Sequence, residues 1–176
     1  MAQDKQTQIR IAGVVRESVV DGPGLRFVVF TQGCPHHCPG CHNPQTHDFE
    51  GGQLVEISQL VELMEKNPLL RGITFSGGEP FAQPEGMAAL AQQVKAHGWD
   101  LFLYSGYTFE QLLKMGEERP AVRRLLELGD ILVDGPYLEG ERSLELKFRG
   151  SRNQRVIDLP ASLASGKAAL SPVGDK

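Results

Sequence analysis

The sequence predicts an α/β fold in which strand–helix units surround a mostly parallel sheet. Two observations carry that expectation: short apolar segments recur along the chain, and stretches with helical spacing separate them. At 176 residues, 40% hydrophobic and 23% charged, the chain can bury a core of its own and fits one domain. That domain is expected over residues 1–160. The remainder, 161–176, is small, polar and broken by Gly and Pro, as a flexible C-terminal tail would be.

Leu25 to Thr31 (LRFVVFT) is β-branched and aromatic, suits a buried strand, and delivers the chain into the cysteine-bearing loop. From Ile57 to Asn67, Leu60, Val61, Leu63 and Met64 form one helical face, with Ser58 as N-cap and Pro68 as stop. Gly72 to Ser76 (GITFS) reads as a second strand. Pro84 to His97 reads as a helix burying Met87, Leu90, Ala91 and Val94 before Gly98 ends it. Trp99 to Ser105 is a third strand. Thr108 and Gln111 have capping-box spacing, which starts a helix over Phe109 to Met115. A short helix over Val122 to Leu128, a fourth strand at Asp130 to Val133 and a fifth at Arg155 to Leu159 continue the alternation. Gly135 to Asn153 is long, charged and without periodicity, which marks a functional or partner-facing loop. Asp21-Gly22-Pro23-Gly24 reads as a turn into the first strand.

The first eight residues, MAQDKQTQ, are polar and lead into no long apolar run, so neither a secretory signal nor a membrane span is expected. A net charge of -4 leaves no overall basic excess for phosphates, so nucleic acid is not an expected partner. All three cysteines, Cys34, Cys38 and Cys41, crowd into GCPHHCPGCHNP. Crowding in one loop fits metal binding in a reducing compartment better than disulfides, and the cytoplasm is the expected location.

The spacing C-x3-C-x2-C can wrap a cubane cluster, with Gly33 and Gly40 permitting close backbone approach and Pro35 and Pro39 stiffening the turns. Iron–sulfur clusters normally have four thiolates, so three would leave one iron open to a reactive ligand. A ferredoxin-like electron carrier would need a fourth cysteine. The alternative is a zinc-stabilised binding module whose fourth ligand is His36, His37, His42 or His47. One strand further on, Ser76-Gly77-Gly78-Glu79-Pro80 lies at a strand's carboxyl end, where parallel α/β sheets bind ligands. Paired glycines let backbone touch a ligand, and Glu79 can accept hydrogen bonds from an ammonium group. A plain turn is the competing reading of that motif.

Taken together, Cys34-Cys38-Cys41 and Gly77-Gly78-Glu79-Pro80 resemble the radical S-adenosylmethionine enzymes. The resemblance implies a full or partial (β/α) barrel, here a partial one of about five or six mostly parallel strands. It implies Cys34, Cys38 and Cys41 as the catalytic ligands of a [4Fe-4S] cluster whose open iron is chelated by S-adenosylmethionine. It also implies Gly77, Gly78 and Glu79 as contacts to the methionine ammonium. Asp21-Gly22-Pro23-Gly24, CPGC, Tyr104-Ser105-Gly106-Tyr107, Leu132-Val133-Asp134-Gly135 and Arg149-Gly150-Ser151-Arg152-Asn153-Gln154 are most similar to the activating proteins of anaerobic ribonucleoside-triphosphate reductase. Many relatives carry an aromatic residue just before the third cysteine, and formate-lyase activators usually do; here that position is Gly40, as in the reductase activators. His42 is then the candidate to shield adenine.

The implied reaction takes an electron from a flavodoxin-like or ferredoxin-like donor, cleaves S-adenosylmethionine reductively, and uses the 5′-deoxyadenosyl radical to remove hydrogen from a glycine of the reductase. The alternative partner is another glycyl radical enzyme such as pyruvate formate-lyase. Ser105 and Asp134, each at the end of a strand, either reach the ribose hydroxyls or simply terminate their strands. Arg149, Arg152 and Asn153 either steady a carboxylate or the partner's backbone, or are solvated surface.

Overall fold

A computed structural model describes residues 7–36, 38–41 and 43–174 of the chain; His37 and His42, singled out above, lie outside the described residues. In chain order the elements are β1 (Gln8–Ser18), β2 (Arg26–Thr31), β3 (Gln53–Glu56), α1 (Ile57–Glu65), β4 (Gly72–Gly77), α2 (Pro84–Ala96), β5 (Asp100–Tyr104), α3 (Phe109–Glu118), α4 (Pro120–Leu128), β6 (Ile131–Asp134), β7 (Arg155–Asp158) and α5 (Leu159–Ser165). The strands form one seven-stranded open sheet in the order β3-β1-β2-β4-β5-β6-β7. The middle four, β2, β4, β5 and β6, are parallel. β1 pairs antiparallel with β2 and β3, and β7 antiparallel with β6.

The expected α/β class and parallel centre hold, but the sheet does not close into a barrel and has more strands than the five or six expected. The two additional strands, β1 and β3, lie at one edge. In β1 the alternation of buried Ile9 and Ile11 with Gln8 and Arg10 lasts only one turn of the pleat before register shifts at Ile11/Gly13 and Val15/Ser18 break it. β7 departs in direction. Parallel strands need a crossover, usually an α-helix; Asp134 and Arg155 are joined by a segment whose helical content is one 3-10 turn, Glu139–Glu141, and the chain returns antiparallel. After Pro160, the segment read above as a tail completes α5, and Leu170 then bridges to Ile157.

Both faces of the central strands are covered, which explains why they read as near-continuous apolar runs. On one face Phe27, Val29, Ile73, Phe75, Leu101, Leu103 and Leu132 pack with Met64, Met87, Leu90, Val94, Leu112 and Leu125 from the helices. On the other, Phe102, Val133 and Val156 pack with Tyr104, Phe148 and Val173. Residues 136–153 fold over this second face. Phe148, at φ 65°, sets its ring against Phe102 at 5.6 Å, and its carbonyl accepts the Tyr104 hydroxyl at 2.8 Å. No helix among the described residues is long and apolar enough to cross a membrane. The capping box of Thr108 and Gln111 forms as expected, whereas α1 is capped by Glu56 with Gln59 rather than by Ser58.

At the amino ends of the parallel strands lies a fully buried cation, Arg26. Its guanidinium donates to Asp100 Oδ1 at 2.5 Å, Thr74 Oγ1 at 2.8 Å, and the carbonyls of Ile73 and Pro23 at 2.9 Å, over the Phe102 ring. The Asp21-Gly22-Pro23-Gly24 turn wraps this group: the Asp21 carbonyl accepts from Thr74, and a Cβ on Gly22 would lie 2.8 Å from the Arg26 side chain. Removing one partner of a buried pair leaves an uncompensated charge, and burial makes that expensive. Asp100→Ala is therefore expected to lower unfolding free energy by about 3 kcal/mol in urea melts. Arg123→Ala, which breaks an exposed pair with Glu127, should lower it by no more than about 0.5 kcal/mol.

Candidate functional site

The carboxyl ends of β2, β4, β5 and β6 lie side by side, and the sequence motifs meet there. The loop after β2 is pinned to itself where Gly33 N–H donates to Thr46 O at 2.7 Å and Cys34 N–H to His47 O at 3.2 Å. It is pinned to the tip of β4 where Gly78 N–H donates to Thr31 O at 2.8 Å and Glu79 N–H to Gly33 O at 2.9 Å. These approaches require the paired glycines. Gly77 has φ +95° and a Cβ on it would lie 2.6 Å from Thr31 N; one on Gly78 would lie 2.5 Å from Gly33 O.

Cys34 is buried, while Cys38 and Cys41 are half-buried. Cys41 N–H donates to Cys38 O at 3.1 Å, closing the turn at Gly40, and Asn43 N–H donates to the Cys41 sulfur at 3.4 Å. Burial pushes the Cys34 thiol up to about 11; the His36 backbone N–H pulls it down, and the charges of Glu79, Cys38 and Cys41 add to the rise. Cys34 thus senses the other two sulfurs and Glu79. Among the described residues no three His, Cys, Asp or Glu side chains converge closely enough to ligate a single ion, so the sulfurs are neighbours by charge. Three soft sulfurs on one constrained loop, which a metal centre's positive charge would hold as thiolates, are a donor set that fits an iron–sulfur group.

Glu79 is fully buried. Its Oε2 accepts from Phe81 N–H at 3.1 Å and from the Ser105 hydroxyl at 2.8 Å. Its Oε1 accepts from Gly106 N–H at 2.8 Å and meets His36 Nε2 at 2.5 Å. Ser105 in turn accepts from Tyr107 N–H at 3.0 Å, so it organises the turn after β5 as well as touching Glu79. The Tyr107 phenol is held above its usual range, first by burial and then by the charges of Glu79 and Cys34. His36, named from the sequence as a candidate fourth ligand of a zinc site, reaches across to the β4 and β5 tips. No linear signal marks that contact, since its three partners, Glu79, Gly106 and Tyr107, come from other loops.

Asp134 lies at the neighbouring tip with both carboxylate oxygens engaged. Phe109 N–H donates to Oδ2 at 2.7 Å, and the Arg155 guanidinium donates to Oδ1 at 3.1 Å and to Oδ2 at 2.5 Å. The Arg149–Gln154 string, read as either ligand-facing or solvated, ties its own segment together. Arg149 donates to Gln154 O at 3.0 Å, Asn153 to Pro136 O at 2.8 Å, and Gln154 to Gly135 O at 3.1 Å. Arg152 is exposed, its backbone N–H bonded to Glu141 O at 2.9 Å. The segment also reaches the cysteine loop: Gly40 has φ +73°, and a Cβ on it would lie 2.7 Å from Glu139 Oε2. A carboxylate therefore fills the space that a side chain at this position would enter.

Residues 20–157 match the family described as a 4Fe-4S single cluster domain. The anaerobic ribonucleoside-triphosphate reductase-activating protein of Vibrio cholerae is 34% identical over 147 residues, covering 78% of this chain and 90% of the relative. The protein of that name from Escherichia coli K12 is 33% identical over 150 residues, covering 80% and 93%, and that of Enterobacteria phage T4 is 34% identical over 145 residues, covering 78% and 86%. Among solved structures, QueE from Escherichia coli is similar at a TM-score of 0.46 and 16% identity, covering 57% of this chain and 54% of that one. With a cluster-domain match over most of its length and relatives 33–34% identical over 78–80% of it, the chain belongs to the family of anaerobic ribonucleoside-triphosphate reductase-activating proteins.

Proposed function

We propose that this protein generates a glycyl radical on an anaerobic ribonucleoside-triphosphate reductase, using a [4Fe-4S] cluster and S-adenosylmethionine. Family membership carries the reading, and a three-thiol loop facing a buried carboxylate across one row of strand tips supports it. When bound, the cluster held by Cys34, Cys38 and Cys41 supplies an open iron and an electron, and S-adenosylmethionine is thereby cleaved to methionine and the 5′-deoxyadenosyl radical that takes hydrogen from the target glycine. A flavodoxin-like or ferredoxin-like protein is the proposed electron donor.

The chain's own residues supply position. Glu79 accepts the ammonium of S-adenosylmethionine through a carboxylate oriented by Ser105, Phe81 and Gly106. Gly77 and Gly78 bring the β4 tip against the cysteine loop, which sets the distance between Glu79 and the thiols. Ser105 and Asp134 bound the ribose end, Asp134 acting by fixing Arg155 and the amino end of α3. Gly40 bounds the adenine side. A primary alkyl radical attacks any carbon–hydrogen bond within reach, so rigid placement of ligand and target protects the protein.

Cys38→Ala is expected to abolish reductive cleavage and to lower bound iron in oxygen-free reconstituted protein; iron at the wild-type level with retained turnover would contradict its role. Glu79→Gln keeps the shape but removes the charge that faces the ammonium. It should weaken S-adenosylmethionine binding on the order of tenfold to a hundredfold, measured by equilibrium dialysis. Partner choice is read by paramagnetic resonance after mixing with anaerobic ribonucleoside-triphosphate reductase or pyruvate formate-lyase. The glycyl signal is expected on the reductase, and its appearance on formate-lyase alone would overturn the assignment.

A further inference from the structure

Resting on the reading that Glu79 receives the ligand ammonium, we infer that the His36 imidazole already occupies that subsite and that S-adenosylmethionine binds by displacing it from Glu79 Oε1. A carboxylate offers about four lone-pair sites. All are taken: Phe81 N–H and the Ser105 hydroxyl bond Oε2, and Gly106 N–H and His36 Nε2 bond Oε1. An ammonium has no acceptor there until one donor leaves.

Three of these donors are fixed by the fold. Two are backbone N–H groups at the strand tips, and Ser105 is held by Tyr107 N–H as well as by its own burial. His36 is different. It arrives from the separate cysteine loop, and its side chain is 15% exposed while that of Glu79 is 0% exposed. Its seat is also shaped for a removable ring. The Tyr107 ring stands edge-on at 4.5 Å, and Gly106 provides the floor, where a Cβ would lie 2.5 Å from the imidazole. Imidazole N–H and ammonium N–H are alternative donors to the same oxygen, so they exclude one another. While no ligand is bound, His36 keeps a buried carboxylate satisfied that would otherwise carry a full desolvation cost. Ligands without a donor of comparable strength cannot take the place.

The test compares equilibrium binding, to cluster-loaded protein without oxygen, of S-adenosylmethionine and of its analogue lacking the amino group. The ratio of the two affinities isolates the amino group and cancels any loosening of the loop that weakens both ligands. His36→Ala is expected to raise that ratio about tenfold, the amino group no longer competing with a charge-assisted hydrogen bond. His36→Gln, which keeps an N–H donor of similar reach, should restore a ratio near that of the wild type. Should His36→Ala fail to hold iron, His36→Asn, too short to reach Glu79, reads the same ratio. An unchanged or reduced ratio in the variant that lacks the donor overturns the inference. A ratio of one in His36→Ala, where no imidazole competes, would instead show that Glu79 does not receive the ammonium, and would overturn the assignment on which the inference rests.

Discussion

The buried Glu79 carboxylate is the constraint on which the site depends. A charge removed from water is tolerated only when its lone pairs are met, and here the donors come from three separate stretches: the turn after β4, the turn after β5, and the cysteine loop after β2. Satisfying one carboxylate therefore fixes three loops relative to one another. The same carboxylate raises the Cys34 thiol's affinity for its proton and shares that effect with the other two cysteines. Position and charge are thus coupled through a single side chain.

A second buried charge does a matching job at the opposite end of the parallel strands. Arg26 joins β2 to β4 and β5 through Thr74, Ile73 and Asp100, while Glu79 joins the carboxyl ends of the same strands. Between them lie the apolar layers that set strand spacing. The strap of residues 136–153 covers the face away from the helices, and side-chain bonds from Arg149, Asn153 and Gln154 to backbone carbonyls help a segment with only one short 3-10 turn and one bridge hold Phe148 against Phe102.

How far the sequence reached follows from which signals are local. The four parallel strands were legible because burial on both faces leaves an uninterrupted apolar run, and α2 and α3 because capping and spacing agree. β1 was hidden because its bulges interrupt the alternation after Ile11. The antiparallel direction of β7 was not read, because the segment before it carries no periodicity that says which way the chain returns. The cysteines and the Gly77-Gly78-Glu79 turn were legible as chemistry, since residue type and spacing alone carry it. The contacts of His36, and the inward-facing roles of Arg149 and Asn153, were not, because each is defined by partners distant in sequence or by a loop fold with no periodicity.

The electrostatics of the site also explain why its residues suit cationic occupants. Burial pushes Cys34 and Tyr107 toward their neutral forms, and nearby charge adds to it: Glu79, Cys38 and Cys41 act on Cys34, and Glu79 and Cys34 act on Tyr107. Neutral thiols are not ligands, so the site favours whatever supplies enough positive charge to hold them as thiolates; iron does so directly. The Glu79 carboxylate is held by hydrogen-bond donors, three of them uncharged groups and one an imidazole. A sulfonium amino acid brings two positive centres against one carboxylate, a net charge opposite to that of Glu79. The fold thus assembles negative charge at the strand tips under conditions that penalise it, and binding a metal centre and a cationic nucleoside relieves both parts of that penalty together.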